Sequence, residues 1–128
     1  MEIIRPQDME LLRNPGVSSL QLLNPSNTST QRLAMTRVVV QPNHEQPRHA
    51  HETAEQIWVA LRGSGQLLLA EGRSAPFCEG EVARFAEGET HGFRNDSGVE
   101  FEYLSVTAPP LSFRAAYQER ATQSNKTD

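Results

Sequence analysis

Short stretches of alternating apolar and polar residues recur along the chain. Leu33, Met35 and the run Val38-Val39-Val40 lie within residues 32–41, and a second run rich in β-formers covers residues 56–61. Alternation with a period of two is typical of strands that bury one face, and β-branched residues favour a pleated surface. We therefore predict strands at both places. Further strands are predicted at 17–23, 66–70, 74–78, 81–85, 90–94 and 99–106.

Turn-forming residues separate the predicted strands. Asn24-Pro25-Ser26-Asn27, Arg62-Gly63-Ser64-Gly65 and Asn95-Asp96-Ser97-Gly98 are three such clusters. The turn signals recur at intervals of about eight to twelve residues, and no long amphipathic helix interrupts them. The pattern predicts an all-β sandwich or barrel.

The two ends of the chain lack this pattern. Residues 6–14 are predicted to form an irregular lead-in with a single helical turn. Ala108-Pro109-Pro110 ends the last strand, and residues 111–120 are expected to form an arm in which Phe113 and Tyr117 pack back on the body. The polar residues 121–128 are expected to be disordered. A chain of 128 residues fits one domain, which we place at 1–120.

Composition excludes several classes of partner. The net charge of −4 comes without a basic cluster, so no nucleic acid is expected to bind. The apolar runs are much shorter than the roughly 20 residues that cross a bilayer, so no membrane partner is expected. The chain opens without a signal-peptide pattern, and its one cysteine, Cys78, cannot form an internal disulfide, so we expect a cytoplasmic protein. We expect the Cys78 thiol to be buried and inert.

Two histidines separated by one residue, His49 and His51, precede the run at 56–61. On an extended segment both imidazoles point to the same side, which is typical of a metal site. Oxygen ligands follow directly, in Glu55 and Gln56. His91 lies forty residues beyond His51, where glycine-containing turns hold it at a defined place.

These residues resemble the two sequence motifs of the cupin superfamily, a family of small β-barrels of the jelly-roll kind. The first motif has a glycine, a His-x-His pair, a glutamate and a second glycine, and its counterparts here are Asn43, His49, His51, Glu55 or Gln56, and Gly63. The second has a glycine, Pro-x-Gly, a histidine and an asparagine, and its counterparts are Gly80, Ala86, Gly88, His91 and Asn95. Asn43 replaces a glycine at modest cost, because asparagine tolerates the left-handed backbone region.

The resemblance implies a double-stranded β-helix, or jelly-roll barrel, with its core at about 30–108. It also implies a divalent metal ion, held by His49, His51, His91 and a fourth ligand. Spacing from His51 selects Glu55 for that position, whereas spacing from Gly63 selects Gln56. Neighbouring strand residues point to opposite faces, so only one of the two reaches the metal. We favour Gln56, because the six residues between it and the Gly63 turn fit a regular strand.

The choice of fourth ligand affects the predicted chemistry. Three imidazoles and an amide leave a divalent ion its full charge, which favours anionic chelating substrates and Lewis-acid catalysis, whereas a Glu55 ligand suits redox iron or manganese better. The donor types are compatible with Zn, Fe, Ni, Mn, Co or Cu. Glu55 and Tyr103 are candidate proton carriers.

Several other residues are candidates to line an interior cavity of the predicted barrel. Trp58 and Phe93 are candidates to line it, although packing in a small barrel explains them nearly as well. Arg37 and Arg84 are candidates to reach it, although a surface ion pair is the commoner fate of a strand arginine.

The resemblance leaves the reaction open, since fold does not fix function. The leading hypothesis is a barrel that binds a small polar or anionic metabolite at the metal, with isomerisation, lyase or enolisation chemistry. A metal-dependent dioxygenase and a non-catalytic binder or sensor are the alternatives. An apolar second face carrying Ile57, Val59 and Leu61 needs a cover, from the N-terminal strand or a second subunit, and we expect a homodimer.

Overall fold

The computed structural model describes residues 1–122, which form eleven strands and three short 3-10 helices. The strands are β1 (Glu10–Asn14), β2 (Val17–Leu23), β3 (Ala34–Val40), β4 (Glu45–His49), β5 (Glu55–Arg62), β6 (Ser64–Leu69), β7 (Ser74–Cys78), β8 (Val82–Phe85), β9 (His91–Arg94), β10 (Phe101–Ala108) and β11 (Glu119–Thr122). The 3-10 helices cover Pro6–Asp8, Ala70–Gly72 and Arg114–Ala116. Within these 122 residues no helix is long and apolar enough to cross a membrane.

The strands form two antiparallel sheets. One has seven strands in the order β11-β1-β2-β3-β10-β5-β8, and the other has four in the order β4-β9-β6-β7. All pairings are antiparallel, and the inner faces of the two sheets enclose a common core. This all-β jelly-roll architecture confirms the predicted fold class.

The ends of the chain are more ordered than the sequence predicts. Residues 10–14, expected within an irregular lead-in, form β1, whose partners are β2 and β11. Ala121 and Thr122, expected in a disordered tail, belong to β11 and pair with β1. Residues 123–128, the rest of that predicted tail, lie outside the described residues. The missed strands are short, and their stability comes from pairing with each other rather than from an alternating pattern of their own.

The barrel interior is apolar at one end and polar at the other. Phe93 stacks on Phe101 with ring centroids 4.0 Å apart, and both lie in a core cluster that also contains Val40 and Phe77. Toward the other end, the inner face of the seven-stranded sheet carries buried polar side chains. These are Ser19, Gln21, Thr36, Gln56, Ser105 and Thr107. Buried polar groups need hydrogen-bond partners, so a binding site is expected at this end of the barrel.

The outer face of the seven-stranded sheet carries exposed apolar side chains near its β8 edge, next to the ion pair of Glu55 and Arg84. Ile57 is 38% exposed, Leu61 43% and Val82 63%. The N-terminal strand β1 extends the sheet sideways rather than covering this face. Cys78 is also exposed, contrary to the expected buried thiol. Its side chain alternates with buried Phe77 at the end of an edge strand, so it faces outward.

Candidate metal centre

Three histidines converge at the polar end of the barrel. The ring centroids of His49 and His91 are 4.3 Å apart, those of His49 and His51 4.9 Å, and those of His51 and His91 5.3 Å. One nitrogen from each ring lies within 4.8 Å of the others. The structure therefore brings together the three histidines that the sequence motifs predict.

Local backbone geometry explains how distant residues meet. His49 ends β4 and pairs directly with His91 at the start of β9. The N–H of Gly88 donates to the carbonyl of His51 at 2.9 Å, which joins the loops that carry His51 and His91. Asn43 has φ 63°, the left-handed value for which asparagine can replace the motif glycine.

Backbone carbonyls select the tautomer of two of the rings. Nδ1 of His49 lies 2.8 Å from the carbonyl of Pro47, and Nδ1 of His91 lies 2.9 Å from the carbonyl of Glu89. A carbonyl only accepts, so each Nδ1 carries the proton and each Nε2 presents a lone pair. Protein carbonyls commonly orient metal-binding histidines in this way.

Burial favours the neutral form of two of the imidazoles, those of His91 and His51. It lowers the pKa of His91 to about 4, with smaller lowering effects from His49 and His51 and an opposing effect from the Glu89 carbonyl. Burial also lowers the pKa of His51, again with a contribution from His49. At neutral pH both rings are therefore unprotonated, which is the state that binds a metal.

Polar atoms at the centre of the cluster are unsatisfied. Within residues 1–122, Nε2 of His51 is buried and has no hydrogen-bond partner. Nε2 of His91 faces Oε1 of Gln56 at 3.1 Å, and with Nδ1 protonated both atoms are acceptors. A divalent cation coordinated by these atoms would satisfy all of them, so the donor set fits a metal ion.

Gln56 faces this centre and Glu55 does not. Gln56 is 4% exposed, donates from Nε2 to Thr107 at 2.8 Å and accepts from Nε1 of Trp58 at 3.1 Å. Indole N–H only donates, so this contact fixes the amide with Oε1 toward His91. Glu55 instead pairs with Arg84 at 2.8 Å on the exposed face. The Glu55 side chain therefore points away from the histidines, because adjacent strand residues face opposite sides.

A cavity of about 280 Å³ opens beside the histidines. One wall is formed by Trp58 and Tyr103, whose rings stack at 4.1 Å. Sequence reasoning missed several polar lining residues, namely Ser19, Thr36, Gln46 and Ser105. The alternation Tyr103-x-Ser105-x-Thr107 along β10 is the signal that would have identified Ser105, since period-two residues share a face.

Three other candidates for the cavity wall lie elsewhere. Phe93 packs in the apolar core against Phe101. Arg37 pairs with Glu102 on the outer face, and Arg84 pairs with Glu55. Both arginines therefore form surface ion pairs, which is the commoner fate of an arginine on a strand.

Solved structures with the same fold include enzymes of different kinds. The polyketide cyclase RemF from Streptomyces resistomycificus is 29% identical, with 84% of this chain and 79% of that chain covered and a TM-score of 0.71. KdgF from Halomonas sp. is 16% identical, covering 88% of this chain and 96% of that chain, with a TM-score of 0.72. Ectoine synthase from P. lautus is 14% identical, covering 95% and 89%, with a TM-score of 0.76.

Sequence comparison agrees with the fold. No curated protein matches the chain at a significant level. The family model of the cupin domain matches residues 36–107, more than half of the chain, and this range includes all three histidines and Gln56. With the jelly-roll topology and the histidine cluster, this match shows that the chain belongs to the cupin family.

Proposed function

We propose that this cupin is a metal-dependent enzyme that acts on a carbonyl group of a small metabolite, with isomerisation, lyase or enolisation chemistry. The observation that carries the proposal is the buried Nε2 of His51, which has no hydrogen-bond partner in the described part of the chain and belongs to the cluster of three histidines. His49, His51, His91 and Gln56 are the proposed ligands. Their nitrogen and oxygen donors suit Zn, Fe, Ni, Mn, Co or Cu.

All four proposed ligands are uncharged. When bound to such a set, a divalent ion keeps its full charge and polarises a coordinated carbonyl as a Lewis acid. Trp58 supplies a flat wall beside that position, and Phe113 contacts His51 edge-on with ring centroids 5.8 Å apart. These aromatic surfaces orient a planar group and exclude water from it.

Tyr103 is the proposed proton donor. Its pKa is raised well above the usual value, first by burial and then by Tyr117, while the hydrogen bond to Gln46 acts in the opposite direction. The phenol therefore stays protonated and can donate to an oxygen that gains negative charge in the reaction. The likeness to RemF, described as a polyketide cyclase, supports an enzyme over a non-catalytic binder.

Isotope exchange tests this proposal. Protein purified without a metal-affinity step is analysed for metal content and then incubated in D2O with a panel of dicarbonyl compounds. Proton NMR should show metal-dependent exchange of the C–H next to a carbonyl, with a solvent base taking the carbon-bound proton and D2O returning a deuteron to the carbon. Tyr103→Phe is expected to slow exchange by about 100-fold, in the range of general acid catalysis. Glu55→Gln, outside the site, should keep the wild-type rate.

Other outcomes of that experiment favour the alternatives. Oxygen consumption with a bound substrate would favour a dioxygenase. Thermal stabilisation by a ligand without exchange or turnover would favour a non-catalytic binder. Equal loss of exchange in Glu55→Gln and Tyr103→Phe would contradict the assigned role of Tyr103.

We also propose that the protein is a cytoplasmic homodimer. The exposed Ile57, Leu61 and Val82 form an apolar surface at one edge of the seven-stranded sheet, and a second copy is the proposed cover. Light scattering should give twice the chain mass for the wild type and the single mass for Ile57→Glu. A wild-type monomer at micromolar concentration would contradict the proposal.

A further inference from the structure

Two phenols and one amide line the cavity that opens beside the histidines. The hydroxyl of Tyr103 donates to Oε1 of Gln46 at 2.7 Å. Tyr117 lines the same cavity, together with Gln46 and Ser19. Each phenol has one proton to donate, so the two hydroxyls can offer two donors to a ligand oxygen. We call Gln46, Tyr103 and Tyr117 the phenol pole of the cavity.

Tyr117 reaches the phenol pole because the C-terminal arm is fixed elsewhere. The N–H of Gln118 donates to the carbonyl of Arg13 at 3.0 Å, and Asn14 donates from Nδ2 to the carbonyl of Ala116 at 2.9 Å. Arg114 pairs with Glu10 at 3.0 Å. These contacts attach both sides of Tyr117 to β1, so the arm places its hydroxyl as part of a built wall.

The lining residues offer no free cation for an anionic ligand. The two charged ones, Arg48 and Glu45, are exposed and are paired with residues outside the lining. The Arg48 guanidinium donates to the carbonyls of Leu69 and Arg73, and Glu45 pairs with Arg94 at 3.7 Å. A carboxylate or phosphate buried against Tyr103 and Tyr117 would therefore lack a counter-charge, which is costly in a partly dry site. A neutral oxygen acceptor has no such cost.

The volume limits the size of the ligand. A cavity of roughly 150 Å³ takes a benzene molecule, and this one measures about 280 Å³. The aromatic side chains of Trp58 and Tyr103 both line it. The space suits a planar molecule of one or two rings.

We infer that the cavity takes a planar, oxygen-rich ligand that presents a chelating oxygen pair to the histidine cluster and an uncharged oxygen acceptor to the phenol pole, with Tyr117 as a specificity-determining residue. The inference rests on the proposed metal function for the chelating end alone. The phenol pole selects against ligands whose far end is a carboxylate or phosphate.

Three compounds that share one chelating group test the inference. Catechol has two adjacent hydroxyls and nothing at the far end, dihydroxyacetophenone adds a neutral ketone there, and protocatechuate adds a carboxylate. Calorimetric titration of the zinc-loaded protein should show dihydroxyacetophenone binding about three- to tenfold more tightly than catechol, the value of one added hydrogen bond. Protocatechuate should bind more weakly than dihydroxyacetophenone. The fluorescence of Trp58, the single tryptophan, gives a second readout.

Variants assign the effect to Tyr117. Tyr117→Phe should remove the advantage of the ketone and leave catechol affinity within about twofold. Gln118→Ala is the control, because this exposed neighbour of Tyr117 anchors the arm through its backbone N–H, which the substitution keeps, and the variant should keep the wild-type preference. An equal loss of preference in Gln118→Ala would overturn the role of the Tyr117 hydroxyl.

The wild-type series separates the two proposals without any variant. If catechol fails to bind the zinc-loaded protein, the metal function fails. If catechol binds while dihydroxyacetophenone shows no advantage, or protocatechuate binds more tightly than the ketone, the inference about the phenol pole is wrong and the metal function stands.

Discussion

Replacement of His51 by alanine is expected to abolish tight metal binding and leave the metal-free fold intact. Nε2 of His51 is buried and finds no hydrogen-bond partner among the residues that the structure describes, so the metal-free protein already bears the cost of an unsatisfied polar atom. Removing the ring removes that cost together with a contact to Phe113. The two effects oppose each other, and the free energy of unfolding without metal should change by less than about 1 kcal/mol.

Metal affinity should respond very differently. Loss of a residue that merely orients a ligand typically costs about 10- to 100-fold in affinity, so loss of a ligand itself should cost at least about 100-fold. Competition with a chromophoric zinc chelator measures this, and urea unfolding of the chelator-treated protein measures stability.

A histidine outside the cluster provides the control. His44 is exposed in the loop before β4, with Nδ1 3.0 Å from the carbonyl of Pro42, and His44→Ala should keep wild-type zinc affinity. Undiminished zinc binding in His51→Ala, or equal losses in both variants, would contradict the assignment of His51 as a ligand.

Gly92→Ala is expected to damage both the fold and the metal centre. A Cβ at this position would lie 2.7 Å from the carbonyl oxygen of Gln46 and 2.9 Å from that of Pro47. Both oxygens belong to the backbone of β4, which cannot rotate away as a side chain can. Strands β4 and β9 must therefore separate, and these are the strands that carry His49 and His91.

We expect Gly92→Ala to lower the free energy of unfolding of the metal-free protein by about 2–4 kcal/mol, as for other overpacked core sites. Zinc affinity should fall at least about tenfold, because small displacements of ligands are expensive. Urea unfolding and zinc competition measure the two effects. Gly98→Ala is the matched control, since nothing lies within 4 Å of its added Cβ. Similar behaviour of the two variants would show that contact with β4 does not constrain the site.

The sequence predicted the parts of the site whose signal is local. The spacing of His49 and His51 indicates a metal site, and the turns around His91 indicate that this histidine is held at a defined place. Gln56 could be chosen over Glu55 because side chains alternate regularly along a strand. Counting back from the turn at Gly63 therefore indicates which of the two faces the histidines. In the structure Gln56 is buried at the cluster and Glu55 is paired with Arg84. Strand periodicity is a strong constraint wherever one face is buried.

The phenol pole could not be predicted, because its members are far apart in sequence. Gln46 lies in β4, Tyr103 in β10 and Tyr117 in the arm. The arm lies against the cavity in part because β11 pairs with β1. Strand β1 has no alternating pattern from which this pairing could be predicted. The burial of edge positions such as Cys78 is hard to predict for a related reason, since the side that faces solvent depends on which strands are neighbours.

The polar end of the barrel has a consequence for how such a protein diversifies. The proposed ligands lie on β4, β5, β9 and the loop after β4, whereas Ser19, Thr36, Ser105 and Tyr117 lie on β2, β3, β10 and the arm. Substitutions in this second set reshape the cavity without moving a histidine. Single mutations in this second set can therefore change which small molecule binds, while the proposed metal ligands stay in place.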